Sequence, residues 1–130
     1  MAKAKKHLAP VEAPFVAVLK PTLKDPAWLD LNFGARCLYI ALKSRYTGAN
    51  NGLFYLGVRK AAAELKASRS STERWFKELQ DHGFIKITTP PSLGLEGKGK
   101  ATCWRLTEIG YMGQRPTRDF KEWAPEKTKP

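Results

Sequence analysis

Polar side chains able to form hydrogen bonds are crowded into the segment SRSSTERWFK, which begins at Ser68. Thr72, Trp75, Phe76 and Leu79 recur at helical spacing, so this segment predicts a helix with one apolar face. The opposite face then presents guanidinium, ammonium and hydroxyl groups in the first two turns, where such groups can meet base edges and phosphates. The candidate contact residues are Arg69, Ser70, Ser71, Glu73, Arg74 and Lys77.

These residue types differ in what they can recognise. The fork-shaped donors of Arg74 suit the O6 and N7 acceptors of guanine, whereas Ser70 and Ser71 can contact a phosphate or a base. Three roles remain possible for Glu73: it can accept a hydrogen bond from cytosine, orient Arg74, or complement the positive end of the helix dipole.

A second candidate contact lies in the loop PPSLGLEGKGK, which carries Lys98 and Lys100 between glycines. The loop joins the predicted strands FIKITT and TCWRLT, in which Ile85 shares a face with Ile87 and Trp104 with Leu106. It is too long for a tight hairpin turn. Lysines at such a loop tip can follow a phosphate backbone or enter a minor groove.

Catalytic chemistry finds no support in the sequence, which has no Gly-rich phosphate loop, GxSxG, HExxH or paired acidic motif. Cys37 and Cys103 form no spacing motif and are expected to be reduced thiols. His7 and His82 have no further ligand at metal spacing, and both are expected to be solvated. We therefore expect no enzyme activity, no cofactor and no metal.

The charge of the chain favours a polyanionic partner. Its 23 Lys and Arg residues exceed its 12 Asp and Glu residues, which gives a net charge of +11. The excess of positive over negative side chains is greatest in the N-terminal arm and in the predicted hairpin. No apolar stretch approaches the roughly 20 residues that span a bilayer, so no membrane partner and a cytoplasmic, nucleoid-associated location are expected.

Cap signals mark the helices that must position these residues. Asp25 before Pro26 predicts the start of a short helix with Trp28 and Leu29 directed inward. The preceding run FVAVL predicts a strand or a packed extended segment. Asn32 is expected to cap a longer core helix, closed by Gly48, whose inward positions are Ala35, Leu38, Tyr39, Leu42 and Tyr46.

The next two helices are joined by a tight turn. The glycines and asparagines of GANNG predict a sharp turn before the short strand LFYL. Val58, Ala61, Ala62 and Leu65 then define an apolar stripe whose small residues allow another helix to approach closely. Ser68 is the preferred cap of the second helix, and a capping box of Ser70 with Glu73 is the alternative. Gly83 is expected to end that helix.

The order of these elements resembles a winged helix-turn-helix domain, over the stretch from Asn32 to Thr107. The segments ARCLYIALKSRYTGANNG and RKAAAELKASRSSTERWFKELQDHGFIKI are similar to small prophage- and plasmid-associated helix-turn-helix proteins, including replication-initiator-like ones. The resemblance implies an α+β fold with a two-stranded wing, and contacts to double-stranded DNA from the six residues of the second helix and from Lys98 and Lys100. Trp75 departs from the small residue that such helices often have there.

The expected organisation is a basic flexible arm at 1–13, a winged helix-turn-helix domain at 14–107 and a C-terminal extension at 108–130. The aromatic residues of the extension favour docking on the same domain, and a clasp between subunits of a homodimer is the alternative. The expected function is duplex DNA binding by a transcription regulator or replication accessory factor. The alternative is a protein-interaction module whose basic surface meets an acidic protein.

Overall fold

The computed structural model describes residues 13–89, 92–93, 99–100 and 102–125. These residues form a mixed α+β fold with a small antiparallel sheet, which confirms the α+β part of the predicted fold class. The helices are α1 Lys20–Lys24, α2 Pro26–Asp30, α3 Phe33–Lys43, α4 Val58–Leu65 and α5 Arg69–Asp81. The strands are β1 Phe54–Tyr55, β2 Ile85–Thr89, β3 Ser92–Leu93, β4 Gly99–Lys100 and β5 Cys103–Leu106, and a 3-10 helix spans Asp119–Glu122. The predicted arm lies almost wholly outside the described residues.

The first two predicted helix caps are present. The Asp25 side chain accepts a hydrogen bond from the backbone N–H of Ala27 at 2.9 Å, and Asn32 accepts one from Gly34 at 2.7 Å. Trp28 is buried as predicted, but Leu29 is 61% exposed, so its predicted inward direction is wrong. Adjacent residues of a helix point about 100° apart, and α2 has only one face against the core.

The run FVAVL does not form a strand. Val18 packs against the core, while Phe15 and Leu19 are exposed, and the chain then enters the five-residue helix α1. A short apolar run does not by itself distinguish a strand from other packed segments. Pro21, in the first turn of α1, suits a helix start rather than the interior of a sheet.

The long helix α3 supplies the centre of the core. Its inward residues Ala35, Leu38, Tyr39 and Leu42 are fully buried, as the helical spacing predicts. The helix ends at Lys43 rather than near Gly48, because Arg45 and Tyr46 donate backbone hydrogen bonds to carbonyls three residues earlier. Gly48 and Gly52 both adopt positive φ in the loop that follows, in agreement with the predicted turn.

The three-stranded sheet is antiparallel, with the strand order β1-β5-β2. Trp104 of β5 lies opposite Phe54 of β1 and Ile87 of β2, and Leu106 lies opposite Ile85. The predicted apolar faces of β2 and β5 therefore lie side by side on the same face of the sheet. Beyond a register shift after Ile87, strands β3 and β4 form a separate two-stranded antiparallel pair.

Residues after Thr107 pack on this same core. The Phe120 ring stacks on Phe84 at a centroid distance of 4.6 Å, and Trp123 stacks on His82 at 4.7 Å. His82 is consequently buried, which corrects the expectation that it is solvated. Its Nε2 lies 2.8 Å from Asp30 Oδ2. A Cβ on Gly83, whose φ is +85°, would lie 2.6 Å from the backbone N of Phe120.

One buried carboxylate ties the first turn of this C-terminal segment to two helices. Glu108 accepts hydrogen bonds from the Thr22 hydroxyl at 2.5 Å, from the Tyr39 hydroxyl at 2.7 Å and from the Lys43 ammonium. Burial opposes its ionisation, but the hydrogen bonds from Lys43, Thr22 and Tyr39 outweigh that effect and hold the pKa of Glu108 below its ordinary value. The pKa of the Tyr39 phenol is raised, mainly by burial and to a smaller extent by the negative charge of Glu108.

Within the described part of the chain, no helix has the length and apolar character needed to cross a membrane.

Candidate nucleic-acid interface

The turn between α4 and α5 is three residues long, from Lys66 to Ser68. Lys66 adopts the left-handed conformation with φ 54°. The Ala67 N–H donates to the Ala62 carbonyl at 3.0 Å and the Lys66 N–H to the Ala63 carbonyl at 3.3 Å. These two hydrogen bonds form a Schellman motif, which ends α4 within one residue and reverses the chain tightly.

Helix α5 begins immediately after this turn. The Ser68 hydroxyl accepts from the backbone N–H of Ser71 at 3.1 Å, so Ser68 is the cap, and the alternative capping box of Ser70 with Glu73 is not formed. Glu73 consequently lies beyond the first turn, where complementing the helix dipole has little effect. The cap fixes which residues of α5 occupy the exposed first two turns.

Packing fixes the rotation of α5 about its axis. Thr72 and Leu79 are fully buried and Phe76 is nearly so, in contact with a core that includes Ala61 of α4. The Thr72 hydroxyl also donates to the Ser68 carbonyl at 2.8 Å. The predicted apolar face is therefore the inner face, and the predicted contact residues lie on the outside of the helix.

Among the predicted contact residues on α5, Ser71 alone is half-buried. Its hydroxyl accepts a hydrogen bond from Arg74 Nη2 at 3.2 Å, so Ser71, rather than Glu73, orients Arg74. One nitrogen of the Arg74 fork is engaged in this contact, and the side chain as a whole is exposed. The other predicted residues on α5 are exposed: Arg69, Ser70, Glu73, Arg74 and Lys77.

Trp75 is accommodated by a glycine on α3. A Cβ built on Gly34 would lie 2.1 Å from two carbons of the Trp75 ring, so the indole occupies the space that any larger side chain would need. Gly34 lies in the first turn of α3, immediately after the Asn32 cap. The bulky residue thus packs against a neighbouring helix without disturbing the buried face of α5.

The predicted lysines of the hairpin are only partly covered by the structure. Lys98 lies outside the described residues. Lys100 belongs to β4, where its backbone pairs with Ser92, and Gly99 pairs with Leu93. The long connection between β2 and β5 therefore includes a short two-stranded ladder of its own.

Two exposed cations on α4 are missing from the predicted site. Arg59 and Lys60 are exposed in the first turn of α4, close to the positive end of the helix dipole. Because cations are unfavourable at this end of a helix, an external anion bound beside them would be stabilising. Two consecutive basic residues at a helix start are the signal that sequence reasoning could have used.

The cations on α5 differ from several cations elsewhere in how they are paired. Arg45 pairs with Glu64, and Lys86 pairs with Asp119 at 3.0 Å. Among the described residues, no carboxylate lies within ion-pair distance of Arg69, Arg74 or Lys77. This face can therefore meet an anion without first breaking an internal ion pair.

An open cavity of about 550 Å³ lies between α5 and the sheet. We call it the α5 groove. Phe76 and Trp104 stack at a centroid distance of 5.2 Å on its floor, and Arg74 and Lys77 stand at its rim. The α5 groove is lined by Leu56, Gly57, Val58, Glu73, Arg74, Phe76, Lys77, Gln80, Ile87, Thr102 and Trp104.

Potential metal ligands do not gather in the part of the chain that the structure describes. No group of three or more His, Cys, Asp or Glu side chains there could hold a metal ion. Cys37 on α3 and Cys103 on β5 are free thiols.

Comparison with family models, curated proteins and solved structures yields no match to this chain.

Proposed function

We propose that the chain is a duplex DNA-binding protein, a transcription regulator or replication accessory factor with a winged helix-turn-helix architecture. Helix α5 would enter the major groove, with α4 supporting it across the tight turn. The connection between β2 and β5 would act as the wing. The observation that carries the proposal is the outer face of α5, which presents Arg69, Arg74 and Lys77 without carboxylate partners among the described residues.

Sequence preference would come from α5. Arg74 has free donors to offer a guanine edge after one nitrogen has bonded to Ser71, and this bond restrains the direction of the guanidinium. Ser70 and Lys77 would contact the flanking phosphates or bases. Because the Arg74 guanidinium is already restrained before binding, less conformational entropy is lost when it forms an ordered contact.

Affinity without sequence preference would come from cations at both sides of α5. Arg59 and Lys60 on α4 would neutralise phosphates on one side, and Lys98 and Lys100 of the wing would do so on the other. Each neutralised phosphate releases condensed counterions, so affinity would fall steeply with salt.

Fluorescence anisotropy can test these roles, with one duplex selected from a random pool and one random duplex. Arg74→Ala should weaken binding to the selected duplex by about 1 to 3 kcal/mol and leave random-duplex binding nearly unchanged. Arg59→Ala with Lys60→Ala should weaken both, and should reduce the slope of log affinity against log salt by roughly 2. Lys98→Ala with Lys100→Ala should act in the same way.

Lys20→Ala with Lys24→Ala is the matched control, because it removes two exposed cations from α1, outside the proposed surface. It should leave the salt slope unchanged. Failure of the parent protein to bind either duplex at low salt would reject the proposal, and the protein-interaction module would replace it.

A homodimer is a second part of the proposal. Phe33, Cys37 and Ile40 form an exposed, uncharged stripe on α3, and Phe33 is 77% exposed. Two copies with a net charge of +11 each would repel one another across most of their surfaces, which favours this neutral stripe as the contact. In an antiparallel pair of α3 helices, Phe33 would face Ile40 of the other copy. Phe33→Ser should then convert a dimer to a monomer in sedimentation equilibrium, and a monomeric parent would reject the dimer.

A further inference from the structure

The α5 groove leaves a core-facing position of the sheet unfilled. Ile85 and Ile87 lie on the same face of β2, yet Ile85 is 1% exposed and Ile87 is 43% exposed. Side chains two residues apart on a strand normally share their surroundings. Ile87 differs because the described residues leave open the space beside it, between Trp104 on β5 and Lys77 on α5.

The floor and the rim of the groove differ in chemistry. Phe76 and Trp104 form a nearly buried floor of stacked rings with an interplanar angle of 18°, and Val58 and Ile87 add the more exposed aliphatic surface. At the rim, the cations Arg74 and Lys77 face one carboxylate, that of Glu73, so the balance of formal charge is positive. An apolar cavity of a few hundred Å³ with a few convergent polar groups has the character of a small-molecule site.

We propose that the α5 groove binds a small aromatic anion. Its rings would lie on the surface made by Phe76, Trp104 and Ile87, and its acidic group would meet Arg74 and Lys77 at the rim. A guanidinium accepts a carboxylate or sulfonate in a bidentate geometry, which a neutral guest does not exploit.

This site would also regulate DNA binding, a consequence that rests on the proposed function. Arg74 and Lys77 line the groove and also belong to the outer face of α5. An anion paired with them competes directly with a guanine edge or a phosphate. The guest and the duplex therefore exclude each other, and the guest weakens DNA binding as its concentration rises.

The direct test uses 1-anilinonaphthalene-8-sulfonate as the probe and N-phenyl-1-naphthylamine, which has the same rings without the sulfonate, as its neutral control. The sulfonate should bind with one-to-one stoichiometry by fluorescence titration, and at least tenfold more tightly than the amine. Arg74→Ala with Lys77→Ala should remove most of that preference. Thermal melts monitored by circular dichroism should establish that every variant is folded at the titration temperature.

Two aliphatic side chains of equal exposure locate the probe. Ile87→Gln alters the groove, and Leu23→Gln alters α1, outside the groove and the proposed contacts; both side chains are 43% exposed. Neither substitution changes the charge. Ile87→Gln should weaken probe binding by about tenfold, and Leu23→Gln should leave it within twofold. Equal binding of the two probes, or loss in Leu23→Gln and not in Ile87→Gln, would overturn the anion site.

The regulatory consequence has a separate readout. In a competition titration with labelled duplex, the sulfonate probe should raise the apparent Kd of the parent and should do so about tenfold less effectively for Ile87→Gln. A probe that fills the groove while the Kd of the parent stays constant would overturn the regulation. A parent protein that binds no duplex would reject the proposed function, and the two probe titrations would still decide the site.

Discussion

Glu108 joins parts of the chain that are far apart in sequence. Its carboxylate accepts from Thr22 on α1 and from Tyr39 and Lys43 on α3, and Lys43 is itself buried. A buried ion pair contributes little compared with a well-packed apolar pair, but the loss of one partner leaves a buried charge without compensation. The arrangement therefore makes the fold sensitive to the Glu108 charge.

Glu108→Gln should lower the free energy of unfolding by about 3 to 5 kcal/mol, because Lys43 keeps its buried charge and loses its partner. Urea denaturation measures the change. Glu64→Gln is the control, since Glu64 pairs with Arg45 at a far more exposed site, and its loss should cost less than about 1 kcal/mol. Equal costs for the two variants would mean that burial of the Glu108 pair has no energetic consequence.

The same pair should make stability depend on acid. Because the folded protein holds the pKa of Glu108 below its ordinary value, the unfolded chain takes up this proton at higher pH than the folded protein. The stabilisation is complete above the ordinary value of about 4.3 and is lost as the pH falls through it toward the folded pKa. The stability difference between the parent and Glu108→Gln should thus shrink from about pH 5 to about pH 3. A constant difference would contradict this.

Gly34 should be intolerant of a single methyl group. In an open helix, Ala is more favourable than Gly by about 1 kcal/mol, but here the new Cβ would lie 2.1 Å from the rigid Trp75 ring. Gly34→Ala should therefore destabilise by about 1 to 3 kcal/mol in thermal or urea unfolding. Gly57→Ala adds a methyl group where nothing lies within 4 Å, so it should cost only the loss of a glycine at the start of α4, at most about 1 kcal/mol. In a Trp75→Leu background the cost of Gly34→Ala should fall; an unchanged cost would place the strain elsewhere.

At the scale of elements, the connection between α4 and α5 combines a good hydrogen-bond pattern with an unfavourable residue. Lys66 holds a left-handed conformation that glycine adopts without a steric cost. Lys66→Gly should raise the free energy of unfolding by about 0.5 to 1 kcal/mol. Lys66→Ala should not, because alanine meets the same steric penalty as lysine. If both variants stabilise the protein equally, removal of the charge is the cause and the backbone explanation is wrong.

Elements set by local interactions could be predicted from the sequence. Asp25, Asn32 and Ser68 are caps because each accepts a hydrogen bond from two or three residues ahead. The helical spacing likewise gave the buried face of α5. The inward direction of Leu29 was wrong, and of the two alternatives for FVAVL the strand is not formed, because which side of a short segment meets the core depends on tertiary packing.

The candidate site was only partly predictable for the same reason. The exposure of Arg69 and Lys77 follows from the period of α5. The contact of Trp75 with Gly34, and the groove between Trp104 and α5, join residues of different elements and leave no local pattern. The hydrogen bond that Arg74 donates to Ser71 joins residues at helical spacing, but its presence depends on the side-chain conformation.

At the scale of the whole molecule, the core is completed by residues near the end of the described chain. Phe120 is 1% exposed and stacks on Phe84, which in turn contacts the edges of Trp28 and Tyr39. Phe120→Ala should cost about 3 to 5 kcal/mol in urea denaturation, as expected for a large buried ring. Phe15→Ala, at a 72% exposed position, should change stability by less than about 0.5 kcal/mol. Equal effects would mean that the C-terminal segment is dispensable to the core.

The backbone of the 3-10 helix rests directly on Gly83, where α5 ends, so the outer face of α5 depends on a segment some 35 residues later. During synthesis, at about 5 to 20 residues per second, α4 and α5 emerge before Phe120 and must wait for it. A nascent chain stalled before Phe120 would leave exposed the face of the Phe84 ring on which Phe120 stacks. The proposed DNA-binding surface would then reach its final form only after the 3-10 helix has been synthesised, rather than gradually along the chain.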